Sequence, residues 1–258
     1  MIKRVIQRMT PKFLLNWYKE RQYYNIIRDF DLNSEPDLLV ARELTDKECI
    51  TVDIGANIGL YTVYLSPVSS KVISIEPVPF TFTMLTKMID RFKLSNVSAG
   101  QFAISDSVGE SHIEIPIQAG ARNYYRASLL DVDIEDASNL HHKVKTKTID
   151  SLFSGDVKDI SLIKCDVEGH ELKCVKGASE FLKKSRPAWL IEVSEDLDDP
   201  ESSAFQLEAF MERFNYKTFL YKNGALHLKK EGDKSLNYFF LQDFHLQKLD
   251  QSSINVSL

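Results

Sequence analysis

The stretch "LIKCDVEGHE", residues 162–171, sets three carboxylates and an imidazole within its last six positions. An apolar run leads into Asp166, which therefore ends a strand. Glu168, His170 and Glu171 fall on the turn and the opening helix that follow. An imidazole neutral near pH 7 accepts a proton, and a carboxylate beside it orients it, binds hydroxyls or holds a hard divalent cation such as magnesium. Glu192 closes another apolar run, "PAWLIEV", and its carboxylate converges with that of Asp166 if the two strands are neighbours. Asp166, Glu168, His170 and Glu192 are thus the candidate catalytic group, suited to taking a proton from a hydroxyl. The local ligand set is incomplete, so the sequence leaves a metal undecided. Simpler roles compete: acids at a helix start cap free N–H groups and complement the dipole, and His170 can be a passive surface histidine. Lys164 either reaches a substrate or pairs with Glu192.

A second constellation begins at "CITVDIGANIGLYTVYL", residues 49–65, where a strand reaches Asp53 and a small-residue turn passes straight into a helix. Glycine in such a turn permits positive φ and close backbone approach to a ligand. A dinucleotide fingerprint needs glycine at 55, 57 and 60, but the chain has Gly55, Asn57 and Leu60. A pyrophosphate cradle is disfavoured. Asp53 and Asn57 suit a ligand bearing positive charge and a polar amino-acid part. Glu76 ends the next strand, 23 positions on, where a carboxylate accepts hydrogen bonds from ribose hydroxyls. Ala103, Ile104 and Ser105, in "AISD", end a third strand and are placed to flank an adenine ring. Three strand ends together describe a nucleoside carrying an amino acid, S-adenosylmethionine. Singly, each has a plainer reading: Asp53 a helix cap, Glu76 a solvated strand end, 103–105 ordinary strand, Asp106 a turn former.

Taken with "ISIEPVP", "FAISDSVGE", "KTIDSL" and "WLIEV", these segments resemble an FkbM-type methyltransferase of the S-adenosylmethionine-dependent class I, over residues 50–193. The resemblance implies a doubly wound, mostly parallel α/β sheet of Rossmann-like kind and O-methylation of hydroxyls on sugars, glycolipids or natural products. It implies cofactor contacts at Asp53, Gly55, Asn57, Gly59, Tyr61, Glu76, Ala103, Ile104 and Ser105, with Asp166 near the methyl end. Met88 departs from the family, which often has asparagine there. No Asn/Asp-Pro-Pro-aromatic motif of amino-group methylation is present. A module that binds the cofactor, has lost catalysis and serves as an assembly partner is the alternative from another class.

The elements that must position these residues follow from pattern. Strands are expected at 50–54, 71–77, 97–105, 160–166 and 187–193, with an exposed one at 110–118. Helices are expected at 58–66, 79–93, 168–184 and 200–214. Residues 119–142, including His141-His142, read as a loop over a site, and Asn223-Gly224 as a hairpin turn in an antiparallel tail. The expected organisation is a helical extension at 1–45, one domain at 46–245 and a tail at 246–258. Net charge is −5, which gives no general attraction to nucleic acid. Three cysteines at unpaired spacing suggest neither disulfides nor zinc, and no apolar run reaches a membrane-spanning length or forms a signal peptide, so a cytoplasmic location is expected. Residues 1–28 carry seven Lys/Arg and one acid, Glu20, with apolar and aromatic residues at helical spacing. Such a helix either packs on the domain or rests on the anionic inner face of a membrane. The expected partner is a small-molecule or glycan acceptor, with oligomerisation left open.

Overall fold

The computed structural model describes residues 12–115, 117–118, 121–122, 127–130, 141–154, 160–252 and 254–257. Two helices come first, α1 (Lys12–Arg28) and α2 (Pro36–Leu44). The repeating part then runs β1 (Ile50–Ile54), α3 (Leu60–Leu65), β2 (Lys71–Ile75), α4 (Pro79–Phe92) and β3 (Val97–Gly100). Short strands follow: β4 (Ala103–Ile104), β5 (Gly109–Glu114), β6 (Ile117–Gln118), β7 (Ala121–Arg122), β8 (Ser128–Leu130) and β9 (His141–Lys147). After α5 (Ile149–Leu152) come β10 (Ile160–Cys165), α6 (Glu171–Lys176), α7 (Phe181–Lys184), β11 (Ala188–Glu192) and α8 (Ser203–Glu212). The chain closes through β12 (Lys217–Lys222), β13 (Ala225–Leu228), β14 (Asn237–Leu241), α9 (Asp243–Leu249) and β15 (Asn255–Ser257).

Nine strands form the main sheet in the order β15-β13-β12-β14-β11-β10-β1-β2-β3. From β11 to β3 all pairs are parallel, while β14, β12 and β13 pair antiparallel. β-branched and aliphatic residues fill β1, β10 and β11 because helices cover both faces of the parallel part. The succession β1, β2, β3 runs one way from the middle and β10, β11 the other. The reversal lies between β1 and β10, and there the carboxyl ends of the strands leave a crevice. The doubly wound reading is what the chain adopts.

Several expected boundaries are corrected. The run 97–105 is two strands in two sheets, because β4 leaves β3 to pair with β9 in a second sheet ordered β4-β9-β5-β8. His141-His142 lie within β9, opposite Glu114 and Ile113, and not in a loop; most of 119–140 lies outside the described residues. The helix expected over 168–184 breaks into α6 and α7 at Gly177, where a Cβ would come within 2.1 Å of the Ser105 carbonyl oxygen. The limits drawn at 45 and 245 fall inside one packed unit. Leu38, Ala41 and Leu44 of α2 join Leu162, Leu190, Phe239 and Leu249 in a single cluster, and β15 adds an edge strand beside β13. The apolar faces of α2 and α9 are buried against the sheet, so the fold absorbs them. Asn223 and Gly224 take φ of 54° and 81° between β12 and β13, as a primed hairpin turn requires.

Candidate functional site

β1 delivers the chain into the turn 55–59, where Gly55, Asn57 and Gly59 have φ of 74°, 51° and 96°. Gly55 and Ala56 both donate their N–H to the Ile75 carbonyl, tying the turn to the end of β2. A Cβ on Gly55 would stand 1.7 Å from the Asp166 carbonyl oxygen, so the turn is pressed against the exit of β10. Asn57 N–H donates to Glu76 Oε2 at 2.9 Å and Val78 N–H to Oε1 at 2.8 Å, fixing the carboxylate at the crevice wall. Burial raises Glu76 to about 7; the two N–H donors oppose the rise, and the charges of Asp166 and Asp53 reinforce it.

Two openings flank the line Gly55, Asn57, Asp166, and these three residues border both. On one side Glu76 and Pro77 face an apolar wall of Phe102, Ala103, Ile104 and, from the second sheet, Ile113 and Leu129, around an open volume of about 580 Å³. On the other side Ile26, Ile27 and Phe30 lie opposite Tyr61, Lys164 and Asp166, around about 730 Å³.

Asp166 is the carboxylate that borders the second opening, and further acids stand close to it. Lys164 is buried, donates to Asp166 Oδ2 at 2.9 Å and lies 4.7 Å from the Tyr61 ring centre. Burial alone lowers its ammonium, but Asp166, Asp53 and Glu192 outweigh that and its pKa ends raised. The register Cys165↔Ile191 sets Asp166 and Glu192 side by side at the ends of β10 and β11. Burial first, then the charge of Asp166, raises Glu192 to about 7; Lys164 opposes this, while Glu168 and Glu35 add to it. Tyr61 Oη donates to Glu35 Oε1 at 3.0 Å. Asp37, which accepts from the Asn237 amide, is raised by burial to about 6.

Most of the residues expected at the site therefore converge: Gly55, Asn57, Glu76, Ala103, Ile104, Tyr61, Asp166 and Glu168 line the openings. Five expected residues border neither opening; Glu192 is one, at the end of β11 beside Asp166. Asp53 is wholly buried behind the turn, its Oδ2 accepting from Thr62 Oγ1 at 2.6 Å. Gly59 starts α3 in left-handed conformation, where a Cβ would meet Leu85 at 2.9 Å. Ser105 and His170 are buried against each other, Oγ to Nε2 at 3.0 Å. His170 precedes α6 and holds its packing against the exit of β4, so the structure corrects its placement beside the acceptor carboxylates. Glu171 turns back to accept from the Gly169 N–H at 2.9 Å, the capping role weighed for it. Two contributors escaped the sequence reading. Glu35 precedes α2 and Asp37 lies in its first turn, in a segment without motif, and only the fold brings them to Tyr61 and Asn237. Among the described residues, no group of three or more His, Cys, Asp or Glu is placed to hold a metal ion.

Replacing His170 by Ala removes the closer of two partners from the buried Ser105 hydroxyl, leaving Asp106 Oδ1 at 3.3 Å. A loss of about 1–3 kcal/mol in urea unfolding is expected, non-additive with Ser105→Ala. If the variant instead removes a titration from the activity profile, the imidazole is the base after all.

Residues 53–218 match the model of the methyltransferase FkbM domain. The chain belongs to the FkbM methyltransferase family. Hexuronic acid methyltransferase AglP of Haloferax volcanii is 30% identical over 155 residues, covering 59% of this chain and 60% of that protein. Methyltransferase sdnD of Sordaria araneosa is 28% identical over 162 residues, covering 50% and 60%. The chain thus spans about 60% of the length of these relatives. Methyltransferase FkbM of Methylobacillus flagellatus KT superimposes with a TM-score of 0.50 at 16% identity, over 76% of this chain and 44% of that one, a likeness of fold. The FkbM match begins at Asp53, at the end of β1, and stops within β12, so α1, α2 and the last strands lie outside it.

Within the family frame, Met88 has a visible use. It is buried with Ile58 and Met84, and together they form the apolar seat that receives Ile27 of α1.

Proposed function

We propose that this FkbM-family chain methylates a hydroxyl of a carbohydrate, glycolipid or related natural product, using S-adenosylmethionine. The observation that carries the reading is the first opening, where a carboxylate held by two backbone N–H groups faces an apolar slot across a positive-φ turn. The residues fit the cofactor by two further marks. Asn57 Oδ1 is buried without a partner, and Gly55, having no Cβ, lets the turn close onto the exit of β10 so that Asn57 and Asp166 border the same crevice. Glu76 would accept from the ribose, Phe102 and Ile104 would hold the base, and the Asn57 amide would meet the amino-acid end. When bound, S-adenosylmethionine supplies a methyl group on a sulfonium.

The chain's own task is to hold the acceptor oxygen in line and take its proton. Asp166 is engaged by Lys164 and serves as a fixed hydrogen-bond acceptor for the substrate. Glu192, raised to about 7, is poised to receive the proton at neutral pH. Hexuronic acid methyltransferase AglP acts, by its name, on a sugar acid, which supports a sugar-like acceptor here. Magnesium, if bound, would be held by Asp166 and Glu192 and would lower the pKa of the acceptor hydroxyl.

Calorimetry with S-adenosylhomocysteine tests the cofactor. Glu76→Ala removes the ribose acceptor and should weaken binding by roughly 10- to 100-fold. Parent affinity should rise as pH passes through about 7, since the ionised carboxylate is the better acceptor. Tighter binding of NAD than of S-adenosylhomocysteine would overturn the reading. Chelator treatment tests the metal: activity lost and restored by magnesium assigns one, and unchanged activity removes it from the mechanism.

A further inference from the structure

The charge of the chain is divided in an unusual way. Residues 1–28 hold seven basic residues and one acid, whereas the remainder holds 25 basic and 36 acidic residues. Attraction of a basic arm to an acidic body would be the simple expectation, but α1 does not dock that way. Its single acid, Glu20, faces inward and pairs with Lys87 at 2.8 Å and Arg91 at 3.2 Å, both on α4. Tyr24 and Ile27 complete the contact, with Arg91 over the Tyr24 ring. The side of α1 turned away from the body carries no acid. It presents Leu14, Trp17 and Tyr18 at 43%, 53% and 56% exposure, with Arg21 over the Trp17 ring. Further along the same helix Ile26, 55% exposed, also lines the second opening.

We propose that this outward face seats the protein on an anionic lipid surface, so that the opening beside Ile26 meets an acceptor anchored in that membrane. The choice of acceptor rests on the methyl-transfer reading above; the docking does not. Trp and Tyr settle at the headgroup level and Lys/Arg are drawn to anionic lipids; Arg21 stands with Trp17 on this face, and the basic balance of residues 1–28 adds to the attraction. With its one acid turned inward, the helix offers nothing to repel such a surface.

Full-length protein is sedimented with vesicles of phosphatidylcholine alone and of phosphatidylcholine mixed with phosphatidylglycerol. Retention on the mixed vesicles is expected, with little on the neutral ones and release by salt. Arg21→Glu should lower the partition constant by about tenfold or more, and Trp17→Ala/Tyr18→Ala should abolish retention. Thermal unfolding and S-adenosylhomocysteine affinity should match the parent, as should vesicle binding by Phe205→Ala, an exposed aromatic on α8. Absence of retention, equal retention on both vesicle types, or parental retention by Arg21→Glu overturns the proposal. Self-association that depends on Trp17 and Tyr18 without vesicle binding assigns the face to a second copy and overturns it too. A chain that binds vesicles but not S-adenosylhomocysteine keeps the docking and sinks the methyl-transfer reading alone.

Discussion

Glu192→Gln is expected to lower turnover by on the order of 100- to 10,000-fold while cofactor affinity stays near that of the parent. Burial and the adjacent Asp166 charge put the Glu192 carboxyl near 7, so both protonation states are accessible at neutral pH. The parent kcat/KM should rise with pH and level off above about 7, whereas the variant should be low and flat. Stability moves the opposite way. The raised pKa means that the native state holds the proton longer than the unfolded chain, so this group favours folding below the ordinary carboxylate range. That contribution is lost as pH rises from about 4.5 through about 7. Glu76 and Asp37, both raised, act in the same sense, so unfolding free energy should fall across the window in which activity appears. A Glu192→Gln enzyme that turns over like the parent, with the same pH profile, moves the base elsewhere.

The second large effect is predicted at Gly55. Alanine there must place its Cβ where the Asp166 carbonyl already stands, at 1.7 Å, in a backbone with φ of 74°. The neighbour is main chain at the exit of β10, so relief requires prising the β1 turn away from β10. Gly55→Ala should cost more than about 3 kcal/mol and abolish S-adenosylhomocysteine binding. Gly224→Ala is the control: its φ is 81°, but nothing lies within 4 Å of the added methyl. Strain alone, about 1–2 kcal/mol, is expected there, with binding unchanged. Thermal melts and calorimetry on the two variants decide the matter; equal behaviour would show that close approach at Gly55 is not required.

The parallel core was legible because its strands are short β-branched runs buried on both faces, each ending in a residue that breaks the pattern: Asp53, Glu76, Asp166, Glu192. Local spacing sufficed for these. It failed where contacts distant in sequence decide. Ala103 and Ile104 are bonded to Thr146 and Lys147, more than forty positions away, and this pulls them out of the β3 strand to which their apolar pattern assigned them. His170 has the chemistry of a base, yet its neighbour in space is Ser105, 65 positions earlier, a pairing no local pattern announces. Glu35 and Asp37 look like ordinary acids around a helix start and acquire meaning only when the fold sets them near Tyr61 and Asn237.

The two openings draw on separate stretches of the chain. The apolar wall beside Glu76 is built largely from residues 102–129, and the facing opening from 26–30, Tyr61 and the end of β10. Among the described residues they meet at Gly55, Asn57 and Asp166. Such a division makes the protein modular to selection. On the proposed function, changes around Ile26 and Phe30 would retune which acceptor is admitted while the nucleoside side is inherited intact. The three shared residues are the narrow link through which alteration of one half is felt by the other.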